Sequence, residues 1–380
     1  MRITGFRTLS TSRNGGVPVG DVNGVLTDGS LPTNLVEVST DVGLTGIGFG
    51  SHEALDRVYP AIDGQDPRAV SSLFDRMLAH TFKAGHQGTT YGAISAFDTA
   101  LWDLKAKAAD QPLWRLLGAR DRAVPVYASG LCIGLDQDQL TTLYATFAAA
   151  GVRSAKLKGG LDVDEDIARL AAVRDAMTIG GRQPALMLDA NEAWYPKQAV
   201  RHITRIEQDH DLTWIEEPVR RWDVDGLATV SRAVRAAVAT GENLTGVEQY
   251  LPLLRGGAVD IVQTGNGGIT HFLRVANLAH AFDLPVSVVG GTLPMAHAAA
   301  AVPNHIVTEA QSLEFPTGLD VDQTFEDGHA RLGDTPGIGV TINETDLVPW
   351  TPPPPTTETG PWVRPQRAGL RLHPEPRPRD

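Results

Sequence analysis

Between residues 123 and 310, short apolar runs alternate with longer segments that carry apolar residues on one helical face. Runs of about 4–8 apolar residues are typical of buried strands, and a period near 3.6 is typical of helices packed on a sheet. Strands that alternate regularly with helices predict a parallel β/α barrel rather than an open sheet. The eight predicted strands lie near residues 124–129, 154–158, 185–190, 212–216, 237–241, 259–264, 285–289 and 305–310. Helical patterns occupy residues 163–178, 197–208, 222–238 and 269–282.

The segment that precedes this repeat has a different pattern. Residues 2–9 and 34–49 alternate as antiparallel strands do, and two amphipathic helices are predicted over residues 66–80 and 91–109. Residues 14–32 are rich in Gly, Asn, Asp, Ser and Pro, and we predict a loop that is either disordered or a lid. The front of the chain is therefore predicted to form an α+β unit.

Composition excludes several classes of partner. The 380 residues carry a formal net charge of −12, which disfavours nucleic acid and anionic membranes. The single cysteine, Cys132, excludes an internal disulfide framework and is typical of a reducing compartment. The residues after Met1 form no apolar signal core, and no apolar run is long enough to span a membrane. We expect a cytoplasmic protein.

Two lysines stand two positions apart in the second predicted barrel strand. Lys156 and Lys158 therefore point to the same face of that strand, and Leu157 points to the other. Two ammonium groups on an inward face are costly to desolvate, so an anionic group is expected opposite them. The charge of Lys156 should also lower the pKa of Lys158 towards neutrality, which suits a general base.

Three carboxylates follow at the ends of the next three predicted strands. Asp189, Glu216 and Glu242 are separated by 27 and then 26 residues, about one βα unit each. In a β/α barrel the active site lies at the carboxyl ends of the strands, so these side chains should meet Lys158 there. A set of carboxylates without His or Cys suits Mg²⁺, which can hold a substrate carboxylate while its α-proton is removed. Because alternation lets only one of Glu216 and Glu217 face inward, we choose Glu216 and assign Glu217 a supporting role.

Together these motifs resemble those of the enolase superfamily, in its mandelate racemase/muconate lactonizing enzyme branch. The resemblance extends from residue 1 to about residue 349. Residues 93–105 resemble the front-domain helix of that branch, and residues 112–118 resemble the segment that leads into its barrel. The four barrel motifs are Lys156-Leu157-Lys158, Asp189-Ala190-Asn191, Trp214-Ile215-Glu216-Glu217-Pro218 and Gly241-Glu242-Asn243.

The resemblance implies an α/β fold, a modified TIM (β/α)7β barrel with an α+β N-terminal capping domain completed by the C-terminal segment. It implies Mg²⁺ on Asp189, Glu216 and Glu242, and abstraction of the α-proton of a carboxylate substrate by Lys158. We predict a capping domain over residues 1–122, a barrel over residues 123–329 and a return to the cap over residues 330–350. The Pro-rich tail, residues 351–380, is expected to be extended and to lie along a neighbouring subunit of a homo-oligomer.

The sequence departs from the racemase-like members on two strands. The sixth strand region, residues 260–268, is shortened and lacks both the Asp of racemases and the Lys of muconate lactonizing enzymes. The seventh, residues 286–291, lacks the His that would form a second base. One-base chemistry therefore fits better, with Glu309, Asn266 or the same lysine acting twice as the general acid.

The most favoured reaction is dehydration of a sugar acid through a metal-stabilised enediolate, by a Mg²⁺-dependent lyase. A second hypothesis is a cycloisomerase or lactone-opening enzyme, or an epimerase or racemase of the same superfamily. A third hypothesis is a barrel that binds metal and ligand without turnover. The expected partner is a small-molecule carboxylate.

The remaining polar residues receive weaker assignments. Asn191, Gln263 and Asn266 are candidates for substrate binding, and Glu309 is either a site residue or a buried structural partner. His297 is expected to be a packed helix histidine, His86 a surface histidine and Cys132 inert.

Overall fold

The structure is a computed structural model that describes residues 1–14, 16–265 and 267–348, together with the backbone of Trp362–Val363. The strands are β1 Ile3–Asn14, β2 Val19–Asp21, β3 Gly24–Leu26, β4 Ser30–Thr40, β5 Thr45–Phe49, β6 Ala123–Ala128, β7 Ser154–Lys158, β8 Ala185–Asp189, β9 Leu212–Glu216, β10 Ala237–Thr240, β11 Ile261–Thr264, β12 Val286–Val288, β13 His305–Ala310, β14 Leu319–Val321, β15 Gln323–Glu326, β16 His329–Leu332, β17 Val340–Ile342 and β18 Trp362–Val363. The α-helices are α1 Leu55–Val58, α2 Val70–His80, α3 Gly88–Ala108, α4 Leu113–Leu116, α5 Gln137–Ala149, α6 Val163–Met177, α7 Pro196–Ile206, α8 Val224–Ala233, α9 Val247–Gly256, α10 Ile269–His280 and α11 Ala296–Ala299. Short 3-10 helices cover Tyr59–Ala61, Phe82–Ala84 and Glu344–Asp346.

Strands β6 to β13 form a closed parallel barrel. Each strand pairs with the next along the chain, and β13 closes the barrel by pairing with β6, with Thr308 opposite Val126. Seven helices, α5 to α11, connect the eight strands, and no α-helix follows β13 before the antiparallel strands that come after it. This order confirms the predicted (β/α)7β barrel.

Side-chain caps define the first residues of two barrel helices, α5 and α6. Asp136 accepts a hydrogen bond from the Gln139 amide at 2.9 Å, and the Gln139 side chain accepts one from the Asp136 amide at 3.1 Å. At α6, Asp162 accepts hydrogen bonds from the amides of Asp164 and Glu165. These bonds satisfy amides that have no partner within their own helix, so each helix begins at a defined residue.

The capping domain packs a three-stranded antiparallel sheet, ordered β1-β4-β5, against the long helix α3. The strand lies almost on the helix backbone, since a Cβ atom at Gly48 would stand 1.9 Å from the Ala96 carbonyl oxygen. A Cβ atom at Gly46 would stand 2.3 Å from the carbonyl oxygen of Ala100. Only glycine permits this approach, which explains why the strand contains Gly at alternate positions.

The prediction of a loop over residues 14–32 is wrong, because this segment contains strands. Strand β1 continues to Asn14, β4 begins at Ser30, and β2 and β3 form a short hairpin between them. The two strands have three residues each, too few for an alternating pattern to be recognised in the sequence. The hairpin turn is fixed by Asp21, whose side chain accepts a hydrogen bond from the Asn23 amide at 2.6 Å.

Helix α3 also ties the cap to the barrel. Asp98 accepts hydrogen bonds from the Thr270 amide at 2.8 Å and from the Thr270 hydroxyl at 2.6 Å. The Trp102 indole donates to the same hydroxyl at 2.9 Å. Because Thr270 lies in the first turn of α10, Asp98 caps a barrel helix from outside it.

The segment after the barrel returns to the cap. The Leu113 amide donates to the Gly337 carbonyl at 2.8 Å, and the Ile338 amide donates to Asp103 Oδ1 at 2.8 Å. Glu344 forms an ion pair with Arg7 of β1 at 2.7 Å. The boundaries drawn at residues 122 and 329 stay predictions. The proposed course of the tail lies outside the described residues, apart from Trp362–Val363, which pairs with β3.

None of the helices in the described part of the chain combines the length and the apolar character that crossing a membrane requires.

Replacing Asp98 should change how stability depends on pH. Burial raises the pKa of Asp98 from 3.8 to about 7, so between these values the folded protein holds a proton that the unfolded chain releases. This group therefore stabilises the fold below about pH 4, and its contribution is lost as the pH rises towards 7. We expect Asp98→Asn to remove that part of the slope, a difference of about 2 kcal/mol between pH 5 and pH 7.5 in urea unfolding. Equal slopes for variant and wild type would contradict the assignment.

Candidate active site

The barrel register places three of the predicted side chains side by side. Lys158 ends β7 opposite Asp189, which ends β8, and Asp189 lies opposite Glu216, which ends β9. Glu242 follows β10 by two residues, and Glu309 lies near the end of β13. Parallel strands without a register slip at these positions bring all five to one mouth of the barrel.

Both lysines are buried and contact carboxylates. Lys156 Nζ lies 2.5 Å from Glu216 Oε1, 3.2 Å from Glu309 Oε1 and 3.5 Å from Asp189 Oδ2. Lys158 Nζ lies 2.5 Å from Asp189 Oδ2. The Lys156, Asp189 and Glu216 side chains have no exposed surface, so these contacts form in a low-dielectric environment where they are strong. The anionic groups expected opposite the lysines are present.

Neighbouring donors hold each carboxylate in place. The second oxygen of Glu216 accepts hydrogen bonds from Gln263 Nε2 at 2.6 Å and from the Trp214 indole at 3.1 Å. Asp189 Oδ1, the oxygen that does not contact the lysines, accepts a hydrogen bond from the Asn191 amide at 2.8 Å. A third bond, from the Gly290 amide to Glu309 Oε2, measures 2.6 Å. These bonds fix which oxygen of each carboxylate faces the lysines.

The electrostatics of the cluster differ from the sequence-based expectation. Burial lowers the pKa of Lys158, but the charges of the carboxylates, Asp189 foremost, together outweigh burial, and the pKa of Lys158 lies above its usual value. Lys156 does lower the pKa of Lys158, as predicted, but with less effect than the carboxylates. The expectation of a near-neutral Lys158 is therefore wrong for this arrangement. Asp189 has a pKa of about 2, because the charges of Lys158 and Lys156 outweigh burial.

The donor set fits a hard divalent cation in its chemistry. Asp189, Glu216 and Glu242 offer carboxylate oxygens from consecutive strands, which is the ligand type that Mg²⁺ prefers. Within the described ranges, no three His, Cys, Asp or Glu side chains form a preassembled metal cluster. Asp189 and Glu216 are turned towards the lysines, and Glu242 is half-buried with Oε1 3.2 Å from Asn243 Nδ2. Metal binding by these groups thus requires the carboxylates and ammonium groups to rearrange.

The loops after β8 and β9 have a strained backbone. Asn191, Glu192 and Glu217 adopt φ angles of 42°, 63° and 40°, a region that residues other than glycine seldom occupy. The Glu192 amide donates to the Glu217 carbonyl at 2.7 Å, and the Glu217 carboxylate accepts from Asn243 Nδ2 at 2.9 Å. Glu217 therefore points to Asn243, whereas Glu216 points to the lysines, as alternation predicted. Such strain is common beside functional sites.

The predicted substrate-binding residues have different surroundings. Asn191 is buried, and its Oδ1 has no hydrogen-bond partner in the described structure. Gln263 contacts Glu216 directly, with its own Oε1 unpartnered among the described residues. Asn266 lies outside the described residues. Their roles stay predictions.

Three residues expected to be structural have packing contacts. His297 Nδ1 accepts a hydrogen bond from the Trp114 amide at 3.2 Å, and His86 Nε2 contacts the Leu78 carbonyl at 2.7 Å. Cys132 is buried, with Sγ 3.4 Å from the Lys158 amide.

Sequence reasoning missed the aromatic side chains beneath the lysines. Lys156 Nζ lies 5.3 Å from the centre of the Tyr127 ring, and Trp214 packs edge-on against Tyr127 at 5.3 Å. Trp214 lies two positions before Glu216 on the same strand face, so alternation alone could have found it. The electrons of an aromatic ring stabilise an ammonium group that lies over the ring. Tyr127 therefore helps to stabilise the charge of Lys156.

The β2–β3 hairpin lies over the mouth of the barrel. The Gly20 amide donates to the Leu131 carbonyl at 2.8 Å, in the loop after β6. Asn23 Nδ2 donates to the Asn191 carbonyl at 3.4 Å, in the loop after β8. The predicted lid is thus an ordered hairpin that contacts two site loops.

A β/α barrel under an α+β cap, with lysines and carboxylates at consecutive strand ends, defines a class of barrel enzymes that act on carboxylate substrates. Family models identify the class. The model for the mandelate racemase/muconate lactonizing enzyme N-terminal domain matches residues 24–118, and the model for the enolase C-terminal domain-like fold matches residues 139–346. The chain belongs to the mandelate racemase/muconate lactonizing enzyme branch of the enolase superfamily.

Similar proteins within the family have different activities. The chain is 34% identical over 284 residues to 3,6-anhydro-alpha-L-galactonate cycloisomerase from Streptomyces coelicolor, covering 74% of this chain and 78% of that protein. It is 32% identical over 347 residues to L-talarate/galactarate dehydratase from Salmonella typhimurium, covering 86% and 85%. A Streptomyces coelicolor racemase crystallised with bound magnesium has a TM-score of 0.82 and 31% identity, covering 90% and 97%. The relatives are thus lyases and isomerases.

Removing Lys156 should destabilise the fold more than removing Lys158. Lys156→Met leaves Glu216 and Glu309 buried without their ammonium partner, whereas Lys158→Met leaves only Asp189, which still has Lys156 within 3.5 Å. Loss of one partner of a buried ion pair costs about 3–5 kcal/mol. We expect urea unfolding without added metal to show this loss for Lys156→Met and a smaller one for Lys158→Met. The reverse order would show that the Lys156 contacts do not stabilise the barrel.

Proposed function

We propose that the protein abstracts the α-proton of a carboxylate substrate with Lys158 in a Mg²⁺-dependent reaction, and that this reaction is the dehydration of a sugar acid. The observation that carries this proposal is the register of β7, β8 and β9. It brings Lys158, Asp189 and Glu216 together, buried, at the carboxyl end of the barrel. An amine beside carboxylates that can hold a metal is the combination that α-proton removal requires.

Asp189, Glu216 and Glu242 would hold the metal. When bound, Mg²⁺ supplies positive charge next to the substrate carboxylate and so stabilises the negative charge that develops on it. A solved relative with bound magnesium supports this choice of ion.

The protein side chains then have separate tasks. Asp189 keeps Lys158 protonated in this arrangement, so Lys158 must release that proton before its Nζ can accept the α-proton. Lys156 provides a second positive charge while it holds Glu216 and Glu309 in position. The unpartnered Oδ1 of Asn191 is available to orient the substrate. Because Lys156 and Lys158 are buried, the reaction would proceed away from bulk water, where these charges have their full effect.

Dehydration is favoured over two-base racemisation by the side chains on β11 and β12. These strands present Gln263 and Ser287 to the barrel interior, and neither is a base at neutral pH. In the dehydration, the α C–H bond breaks, a C=C bond forms and the β-hydroxyl leaves as water after it gains a proton. Lys158, with the proton it has taken, could deliver that proton. Glu309 is less suited to this task, because burial raises its pKa but the charges of Lys156 and Lys158 lower it below the usual value. An L-talarate/galactarate dehydratase among the relatives supports this reaction.

Opening or isomerisation of a cyclic sugar acid is the second candidate. Its leaving oxygen stays within the molecule, so the reaction needs no separate acid on the opposite face. A relative that is a 3,6-anhydro-alpha-L-galactonate cycloisomerase supports it. The cytoplasmic location and the homo-oligomer stay predictions.

Proton exchange tests the proposed base directly. With Mg²⁺ in deuterated buffer, proton NMR of sugar acids, diacids and their lactones should show loss of the α-proton signal for one substrate, together with a keto-deoxy product if dehydration follows. Lys158→Ala should slow exchange by at least about a thousandfold, because no other base replaces it.

Lys197→Ala is the matched control, since Lys197 is exposed on α7 and should exchange like the wild type. Exchange without a new product would favour epimerisation or a half-reaction. Wild-type rates in Lys158→Ala would refute the base, and silence across the library with tight Mg²⁺ binding would favour a barrel without turnover.

Removing Glu242 should weaken metal binding. Mg²⁺ should raise the melting temperature of the wild type, and Glu242→Gln should require at least about tenfold more Mg²⁺ for the same increase, because the amide donates less charge than a carboxylate. Glu248→Gln, an exposed change on α9, serves as the control. An unchanged Mg²⁺ dependence in Glu242→Gln would remove that residue from the proposed ligands.

A further inference from the structure

A cleft between the cap and the barrel opens beside the ionic cluster. It has a volume of about 430 Å³ and is bordered by the ends of β1 and β4 on the cap side, and by the loops after β12 and β13 on the barrel side. Two of its lining residues, Gly290 and Gln311, donate hydrogen bonds to Glu309 at 2.6 and 3.3 Å. The Glu309 carboxylate in turn contacts Lys156 at 3.2 Å. The cleft therefore adjoins the ionic cluster through Glu309.

Arg13 is the cationic residue among those that line the cleft. It also lines a second cleft of about 250 Å³ that shares Leu31 and Gln311 with the first. Its side chain is half-buried, and Nη1 makes one hydrogen bond, to the Glu314 carbonyl, at 3.5 Å. A guanidinium carries five N–H donors, so most of them are available to a ligand.

The lack of an ion pair distinguishes Arg13 from another arginine on the same strand. Arg7 of β1 pairs with both Glu37 and Glu344. Within the described ranges, no carboxylate oxygen lies within 4.0 Å of the Arg13 guanidinium. Burial lowers the pKa of Arg13, which means that its charge lacks the stabilisation that a bound anion would give. A half-buried charge without a partner is unfavourable unless a ligand completes it.

We propose that Arg13 binds the distal carboxylate of the substrate, and that the preferred substrates are dicarboxylic sugar acids. The planar guanidinium can form two parallel hydrogen bonds with a carboxylate, a geometry that a neutral terminal hydroxyl cannot offer. The remaining polar lining, which includes Thr33, Asn34, Thr292 and Ser312, suits the hydroxyl groups between the two ends. The inference rests on the proposed function, because it assumes that the first carboxylate binds at the metal.

Glu314 provides a second, opposite test of the same site. Its exposed side chain lines both clefts, and its charge acts on Arg13 without an ion pair. A carboxylate ligand on Arg13 would be repelled by Glu314. Removing that charge should therefore strengthen binding of a dicarboxylate, whereas removing Arg13 should weaken it.

Calorimetric titration with Mg²⁺ present tests both residues. The ligands are a six-carbon sugar dicarboxylate and the sugar monocarboxylate of the same configuration and length. We expect wild type to bind the dicarboxylate at least tenfold more tightly. Arg13→Gln should weaken dicarboxylate binding about 10- to 100-fold and change monocarboxylate binding less than twofold. Arg13→Lys should fall between them, and Glu314→Gln should tighten dicarboxylate binding about twofold.

Arg7→Gln is the matched control, because it removes the same charge from the same strand outside the clefts and should leave both affinities unchanged. Equal losses for both ligands in Arg13→Gln, or no preference for the dicarboxylate in wild type, would overturn the inference. If Arg13→Gln does not fold, the Arg13→Lys and Glu314→Gln affinities decide. Arg13-dependent binding of the dicarboxylate without α-proton exchange would refute the proposed function alone.

Discussion

The buried contacts between two lysines and three carboxylates are the constraint on which the rest of the site depends. Lys156, without exposed surface, binds Glu216, Glu309 and Asp189 at once, and Lys158 adds a second contact to Asp189. Charges of this kind are tolerated inside a protein only when each is matched by others at fixed positions. The barrel supplies the fixed positions, because the register of its strands, and not the course of a loop, determines where Lys158, Asp189 and Glu216 stand.

The cap also fixes the position of barrel residues, through hydrogen bonds made by helix α3. Asp98 and Trp102 of α3 attach to Thr270 at the start of α10, and the C-terminal segment binds Asp103 on the same helix. One cap helix thus holds a barrel helix on one side and the returning chain on the other. The cleft that contains Arg13 lies where the cap and the barrel meet, so the contacts of α3 with both parts help to fix its two sides.

Much of this arrangement was predictable from the sequence. Alternation put Lys156 and Lys158 on one face, the βα period put Asp189, Glu216 and Glu242 at strand ends, and the closed barrel followed from the number of strands. The pattern could not show which groups pair. The sequence predicted that Lys158 has a pKa near neutrality, but the charge of the nearby Asp189 keeps Lys158 protonated. The β2–β3 hairpin was missed because strands of three residues are too short for periodicity, and their pairing depends on contacts with distant loops. Arg13 was missed because it is singled out by the absence of an ion-pair partner among the described residues, and a sequence does not show which side chains are in contact.

The hairpin over the barrel mouth is held at Gly20 by main-chain atoms. The Gly20 amide bonds to the Leu131 carbonyl, and the Ile133 amide bonds back to the Gly20 carbonyl at 3.4 Å. These hydrogen bonds join main-chain groups, so they do not depend on the identity of the neighbouring side chains. Substitutions that spare Gly20 and the turn residue Asp21 can therefore change the other hairpin side chains while these bonds remain. This arrangement separates the evolution of selectivity from the maintenance of the cover over the site.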